Sequence, residues 1–447
     1  MEIYMELIKS LNSNIFWGTP MLTLMLTLGI YLTAATRGRL FLKFGNVLKC
    51  SISAMFGKGE NENAVSPFAA VSTALAATVG TGNIVGVALA IRTGGPGAVF
   101  WMWVSAFFGM AIKYTEVALA VNYRVKNESG GFSGGPMYYM ANGLGFRQLA
   151  AAFSFFGFLS SFGIGNMVQA NSLSAGAQAL FGLSKPICGI ILSILCAAVL
   201  IGGIKRISSV AEILVPFMAF FYMLCAALVL FINRAALPRA FSDIIECAFS
   251  PASAAGGFLG ASVSYSMRIG VSRGLFTNEA GLGSAPIAHA AAETNHPARQ
   301  GCLGIFEVFF DTIVMCTVTA LVILTSGVWQ APQSADGGLL AHAAFSAAIP
   351  LGGEIVSLGL ILFAFASIIA WYYYGEKCFE FIFGKKNISV YRIFYVGACF
   401  FGCVLRSGAV WEAADALNAL MALPNLVSLF FFFGKIREIT DDFFEKY

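Results

Sequence analysis

The stretch Ala76-Ala77-Thr78-Val79-Gly80-Thr81-Gly82-Asn83-Ile84 lies in the middle of a long apolar run, 66–92. Two glycines flanking a threonine and followed by asparagine are poor helix formers at the centre of such a run. If the run crosses a bilayer, the backbone exposed by the break has no water to bond, and it cannot face lipid unsatisfied. The break is therefore expected to line a cavity enclosed by protein. A second apolar run, 254–290, repeats the pattern with Gly270-Val271-Ser272-Arg273-Gly274 and then Thr277-Asn278-Glu279-Ala280-Gly281-Leu282-Gly283. Its polar content also argues against lipid contact.

The composition places both runs in a membrane. Of 447 residues, 58% are hydrophobic and only 11% charged, with a mean hydropathy of +0.78. Soluble domains are about 25% charged, so too little polar surface is present to coat a water-facing globule. A soluble enzyme, a nucleic-acid-binding module and a disordered chain are excluded on this ground. The net charge of +4, from 27 basic and 23 acidic residues, is too balanced for a phosphate-binding surface. Apolar runs of about 20 residues predict spanning helices rather than a barrel of short alternating strands. The 10 cysteines are scattered through apolar stretches, with no C-x-x-C, and read as small buried hydrophobes. The N-terminal stretch, with Glu2, Glu6 and Lys9, lacks the positive region of a cleaved signal and reads as leading into a retained helix.

Span length predicts eleven helices: 15–35, 66–92, 96–122, 150–181, 186–204, 208–232, 254–290, 299–326, 353–383, 388–406 and 408–434, numbered 1 to 11 below. Basic residues gather about threefold on one side of this arrangement, which makes that side cytoplasmic, with the N-terminus outside and the C-terminus inside. Helices 2 and 7 are five spans apart and so enter from opposite sides. Helices 2–6 and 7–11, each led by a broken helix, predict an inverted repeat of the kind found in secondary transporters. The chain then reads as one polytopic domain, 1–447: an N-terminal helix and loop, 1–65, a first repeat, 66–232, and a second repeat, 254–434. At such breaks, half-helix N-termini offer N–H groups to an anion and unwound carbonyls offer oxygen to a cation. A carboxylate substrate with Na⁺ or H⁺ fits both.

Further residues carry a resemblance. Gly94-Gly95-Pro96-Gly97-Ala98-Val99-Phe100-Trp101-Met102-Trp103, continuing to Gly109, resembles the signature of the alanine/glycine:cation symporter family. So do Gly80-Thr81-Gly82-Asn83, Gly165-Asn166-Met167-Val168-Gln169-Ala170-Asn171, Asn278-Glu279-Ala280-Gly281 and Trp371-Tyr372-Tyr373-Tyr374-Gly375-Glu376-Lys377. The resemblance runs through nearly the whole chain in order. It implies a leucine-transporter-like, all-α 5+5 fold with one extra N-terminal helix, and uptake of alanine or glycine with Na⁺ across the cell membrane. It implies no organic cofactor, no nucleic acid and no obligatory protein partner beyond the bilayer.

By that resemblance, Gly80, Thr81 and Gly82 receive the substrate carboxylate, with Asn83 supporting the turn or the site. Ala76 and Val79 supply sodium-ligating carbonyls, and Ser367 on helix 9 a hydroxyl. Relatives often carry a second hydroxyl beside it where this chain has Ala366, so proton coupling stays open. Gln169 and Asn278 are candidates for the ammonium or the carboxylate. Phe276 and Trp371 resemble walls that limit side-chain size.

Ionisable residues within spans are functional candidates. Lys113 and Glu116, three apart on helix 3, are expected to pair with each other. Interhelical ion pairs are expected for Glu279, Glu307 and Asp311, which would carry protons if transport were proton-coupled. His289 reads as structural, and His296 and His342 fall in expected loops. No G-x-x-x-x-G-K-[ST] occurs, which disfavours an ATP-driven pump. Gly131-Phe132-Ser133-Gly134 resembles a serine nucleophile turn, but Ser133 falls in an expected cytoplasmic loop with no histidine placed to activate it.

Overall fold

A computed structural model describes residues 2–57, 65–127, 130–249, 263–330, 337–405 and 407–446. The expected first turns of helix 7, 254–262, and Arg406 between helices 10 and 11 lie outside them. The described residues are almost wholly helical. A two-stranded antiparallel hairpin, Val125–Lys126 against Phe132–Ser133, is the named sheet among them.

Nine of the eleven expected spans are long and apolar enough to cross a bilayer, counting the bent helix 2 as one. The other two are the shorter helix 5, Lys185–Leu200, and the broken helix 7. Helix 2 runs Pro67–Thr78, breaks, and resumes through Gly82–Gly94 with a 46° bend. Ser66 starts it, its hydroxyl accepting from the Ala69 amide at 3.0 Å ahead of Pro67. Helix 7 runs Val263–Asn278, breaks over 279–284, and resumes as Ala285–Ala290. Helix 4, Arg147–Phe181, and helix 8, Pro297–Ser326, each contain a wide π-type turn, at Gly163–Met167 and Phe309–Cys316. Such turns recur at functional sites.

Helix 3, Gly97–Asn122, is buried along most of its length and forms the axis against which helices 7 and 8 pack. Helix 9, Gly352–Phe383, packs on helix 4, helix 6 and the first half of helix 2.

The glycines Gly270 and Gly274, read from sequence as part of the helix-7 interruption, lie inside continuous helix. A Cβ on Gly270 would stand 2.2 Å from the Ala98 carbonyl oxygen, and one on Gly274 2.1 Å from Ser105 Oγ. They are bare so that helix 7 can lie against helix 3. Further helices, among them Phe44–Met55, Leu237–Phe249 and Gly337–Ser346, occupy stretches expected to be loop. The last contains His342.

Candidate functional site

The helix-2 break is built by Asn83. Its Oδ1 accepts from the Gly80 amide at 2.8 Å, a donor that uninterrupted helix would direct to the Ala76 carbonyl. The Asn83 amide bonds the Gly80 carbonyl at 3.2 Å rather than that of Val79. Released in this way, Ala76 O accepts from Ser367 Oγ at 3.0 Å. A Cβ on Gly80 would lie 2.9 Å from Ser367 Oγ and would push that hydroxyl aside. Ala76 O and Ser367 Oγ, two of the three expected sodium ligands, therefore meet across helices 2 and 9. The buried Ala366 beside them adds no side-chain oxygen. On its other side Asn83 donates to Asp311 Oδ1 at 2.7 Å, and Thr312 Oγ1 donates to Asp311 Oδ2 at 2.8 Å.

The helix-7 break turns on Glu279, which has φ 55°, followed by Gly281 and Gly283 at φ 88° and 79°. Asn278 Oδ1 accepts from the Ala280 amide at 3.0 Å, and its Nδ2 donates to Thr312 Oγ1 at 3.2 Å. Glu279 accepts from Trp371 Nε1 at 3.0 Å and from Ser284 Oγ at 2.5 Å.

Between the two breaks lies a tight cavity of about 20 Å³, lined by Ala77, Thr78, Gly80, Thr81, Gly82, Ile164, Gln169, Phe276, Thr277, Glu279, Trp371 and Asn418. Six of the eight expected substrate residues meet there: Gly80, Thr81, Gly82, Gln169, Phe276 and Trp371. Asn83 and Asn278 do not line it; both are spent on the backbone of the breaks and on helix 8. Gln169 is held in place, its Oε1 accepting from Thr81 Oγ1 at 3.2 Å and its Nε2 donating to Ile164 O at 3.2 Å. Gly165 leaves room for Trp371, whose Cβ would be 2.4 Å from a Cβ at that position. Asn418 on helix 11 was not expected. The signal available for it was an amide within an apolar span.

Lys113 does not pair with Glu116. Its Nζ lies 3.2 Å from Glu307 Oε1 on helix 8, fully buried, and Glu307 Oε2 lies 3.1 Å from His289 Nε2. Gln300 Nε2 holds the other face of His289 at 2.8 Å. Glu116 instead accepts from Asn425 Nδ2, which also bonds Gly281 O at 2.9 Å. His296, at the start of helix 8, meets Asp442 at 3.1 Å. Ser133 is buried in the hairpin and its hydroxyl has no hydrogen-bond partner among the described residues, so none of these is placed to activate it as a nucleophile.

Phe276 also borders a wider vestibule of about 600 Å³, lined by Lys9, Asn12, Trp17, Arg268, Arg273, Glu412, Asp415 and neighbours. The observed helix 1 begins at Thr19, and the segment preceding it straps this mouth. Asn12 Nδ2 donates to Glu412 Oε2 at 2.8 Å, Trp17 Nε1 to Asp415 O at 3.0 Å, and Arg268 to Ser13 O at 2.9 Å.

This architecture has known counterparts. The structure resembles that of MhsT in complex with L-phenylalanine, with a TM-score of 0.61 at 14% identity, covering 83% of this chain and 90% of that one. It also resembles a Na⁺-coupled sialic acid symporter, with a TM-score of 0.56 at 12% identity, covering 92% and 95%. These likenesses establish the leucine-transporter-like fold. In sequence, the chain is 45% identical to the sodium/alanine symporter AgcS of Methanococcus maripaludis, over 99% of this chain and 98% of that protein. It is 38% identical to the probable sodium/glutamine symporter GlnT of Bacillus subtilis, over 96% and 89%. The description "Sodium:alanine symporter family" matches residues 1–447, and the chain, a transporter and not an enzyme, belongs to that family.

Proposed function

We propose that this protein imports small neutral amino acids, alanine or glycine, together with Na⁺ by alternating access in the cell membrane, with its N-terminus outside. The carrying observation is that Gly80 belongs to two sites at once. It lines the cavity between the breaks, and it lies against the Ser367 hydroxyl that meets Ala76 O. An ion held by Ala76, Val79 and Ser367 ties helix 2 to helix 9. A carboxylate held by the amides of Gly80, Thr81 and Gly82 ties helix 2 to helix 7. Both ligands then bias the same movement of helix 2, which is what coupling requires. The rings of Phe276 and Trp371 in the cavity wall favour a small side chain.

One ion per substrate suffices. Moving one charge through about 100 mV supplies about 2.3 kcal/mol, and a tenfold Na⁺ gradient about 1.4 kcal/mol more, together roughly a 500-fold accumulation. A proton-coupled form of the same cycle is favoured by one observation: Glu279 and Asp311 are buried and neither joins an ion pair among the described residues. Uptake of labelled alanine into proteoliposomes separates the two. Accumulation with an inward Na⁺ gradient alone is expected. Accumulation with an inward H⁺ gradient alone would transfer coupling to Glu279, Glu307 and Asp311. No accumulation of alanine or glycine under either gradient would overturn the substrate assignment.

A further inference from the structure

We propose that a pocket of about 410 Å³, between the short helix Phe44–Met55, the start of helix 8 and the C-terminal helix Phe433–Lys446, binds the headgroup phosphate of an anionic phospholipid. It shares no residue with the cavity between the breaks, and it does not depend on what the protein carries.

The helix Phe44–Met55 presents three faces. Val47, Ser51 and Ala54 are buried, and Ser51 Oγ donates to the Cys302 carbonyl of helix 8 at 2.8 Å. Asn46, Lys49 and Ser53, at i, i+3 and i+7, line the pocket. Ile52 and Phe56, three and seven residues past Lys49, turn outward on its flank, 51% and 81% exposed. Leu42, just ahead of the helix, is 84% exposed. The facing wall carries Arg299, in the first turn of helix 8. Helices 1 and 8 are long and apolar enough to span, and the pocket lies where one has just ended and the other begins. That is the level of lipid headgroups. Exposed apolar side chains beside a cation on a short helix are the composition of an element lying in the membrane interface.

The wall selects charge. Lys49 and Arg299 bring two positive charges, and no residue lining the pocket is acidic. The carboxylates of the C-terminal helix beside it are already engaged. Asp441 meets Arg37 and Arg39 at 3.5 and 2.7 Å, and Asp442 meets His296 and Lys446 at 3.1 and 2.6 Å. The side chains of Lys49 and Arg299 join no ion pair or hydrogen bond among the described residues. A phosphodiester carries one negative charge and can accept from both, the guanidinium as a fork and the ammonium as a point charge. The Asn46 amide and the Ser53 hydroxyl add neutral donors. A zwitterionic lipid would bring an ammonium too, and the wall has no carboxylate to receive it. A free phosphate ion would leave the rings of Phe443 and Phe444 in the wall, and Ile52 and Phe56 outside it, without apolar contact. Acyl chains supply that contact, which makes a lipid the occupant.

The test uses the full-length protein in a neutral detergent. The probes are phosphatidylglycerol, phosphatidylethanolamine with the same acyl chains, and inorganic phosphate. Native mass spectra count bound lipid, and melting curves report stabilisation. The wild type should retain phosphatidylglycerol in preference to phosphatidylethanolamine, be stabilised more by it, and be unmoved by inorganic phosphate. Lys49→Gln and Arg299→Gln should each weaken phosphatidylglycerol retention about fivefold, the effect of one cation at a lipid surface, and leave phosphatidylethanolamine unchanged. Lys435→Gln removes a charge already paired with Glu438 at 2.9 Å and should change neither. Ser53→Asp, at an exposed position, puts a carboxylate on the wall and should abolish the preference. It decides the matter if a cation variant fails to fold. Equal retention of the two lipids by the wild type overturns the inference, as does wild-type retention in the double variant Lys49→Gln with Arg299→Gln. An equal loss in Lys435→Gln would reduce the effect to net charge and overturn the pocket. Stabilisation by inorganic phosphate equal to that by phosphatidylglycerol overturns the lipid as occupant.

Discussion

Asn83 holds the helix-2 break with both ends of its amide, one on Gly80 N and the other on Asp311. What it releases, the Ala76 carbonyl, is taken up by Ser367. Ser367→Ala removes one oxygen from the proposed ion site and leaves no cavity larger than an atom. It should raise the Na⁺ concentration for half-maximal uptake about tenfold, equivalent to ~1.4 kcal/mol, with little loss of stability. An unchanged Na⁺ dependence would place the ion elsewhere. The break itself was legible in the sequence, because Gly, Thr, Gly and Asn in succession cannot sustain a helix in lipid. The directions of Asn83 and Asn278 were not legible. A break ends the 3.6-residue periodicity from which side-chain direction is read, and both amides turn to the nearest orphaned backbone and to helix 8. Asn418 was hidden for another reason: it comes from an unbroken helix more than 300 residues away in sequence, with only its polarity to mark it.

At the scale of the helix, Gly270 carries a test of close packing. In an exposed helix, Gly→Ala gains about 1 kcal/mol of propensity. Here a Cβ would stand 2.2 Å from the Ala98 carbonyl, a backbone atom that cannot move without displacing helix 3. Gly270→Ala should therefore be net destabilising, since overpacking costs typically 1–3 kcal/mol. Thermal unfolding in detergent should register it as a lower melting temperature; a rise would mean the helices part easily. The sequence marks these glycines as unusual but does not say whether glycine serves unwinding or contact. That distinction needs the neighbouring helix. The helices Leu237–Phe249 and Gly337–Ser346 escaped for the converse reason: both are too short to span, and span length was the rule applied.

Across the whole molecule, Lys113 stands at the centre of the buried charge. Helices 3, 7 and 8 meet through Lys113, His289 and Glu307, while Glu116 ties helix 3 to helix 11 through Asn425. The expected Lys113–Glu116 pair rested on spacing along one helix, where such pairs are worth only about 0.2–0.5 kcal/mol. In a fully buried helix each side chain faces a different neighbour, and that neighbour decides its partner. Lys113→Met should destabilise the protein by up to about 3–5 kcal/mol by leaving Glu307 with His289 as its one partner among the described residues, and adding Glu307→Gln should recover part of the loss. Melting of the single and double variants checks this; equal melting of the single variant and the wild type would show that Lys113 does not stabilise the bundle.

The strap ahead of helix 1 acts as a ruler. Ser13 is held by Arg268 on helix 7, and Trp17 holds Asp415 on helix 11, with three residues, 14–16, between the two grips. Fully extended, the four Cα-to-Cα steps from Ser13 to Trp17 reach about 13–14 Å. While both grips last, that length of chain, together with the two side chains at its ends, caps how far the mouths of helices 7 and 11 can separate. Any wider gape must first unfasten one end.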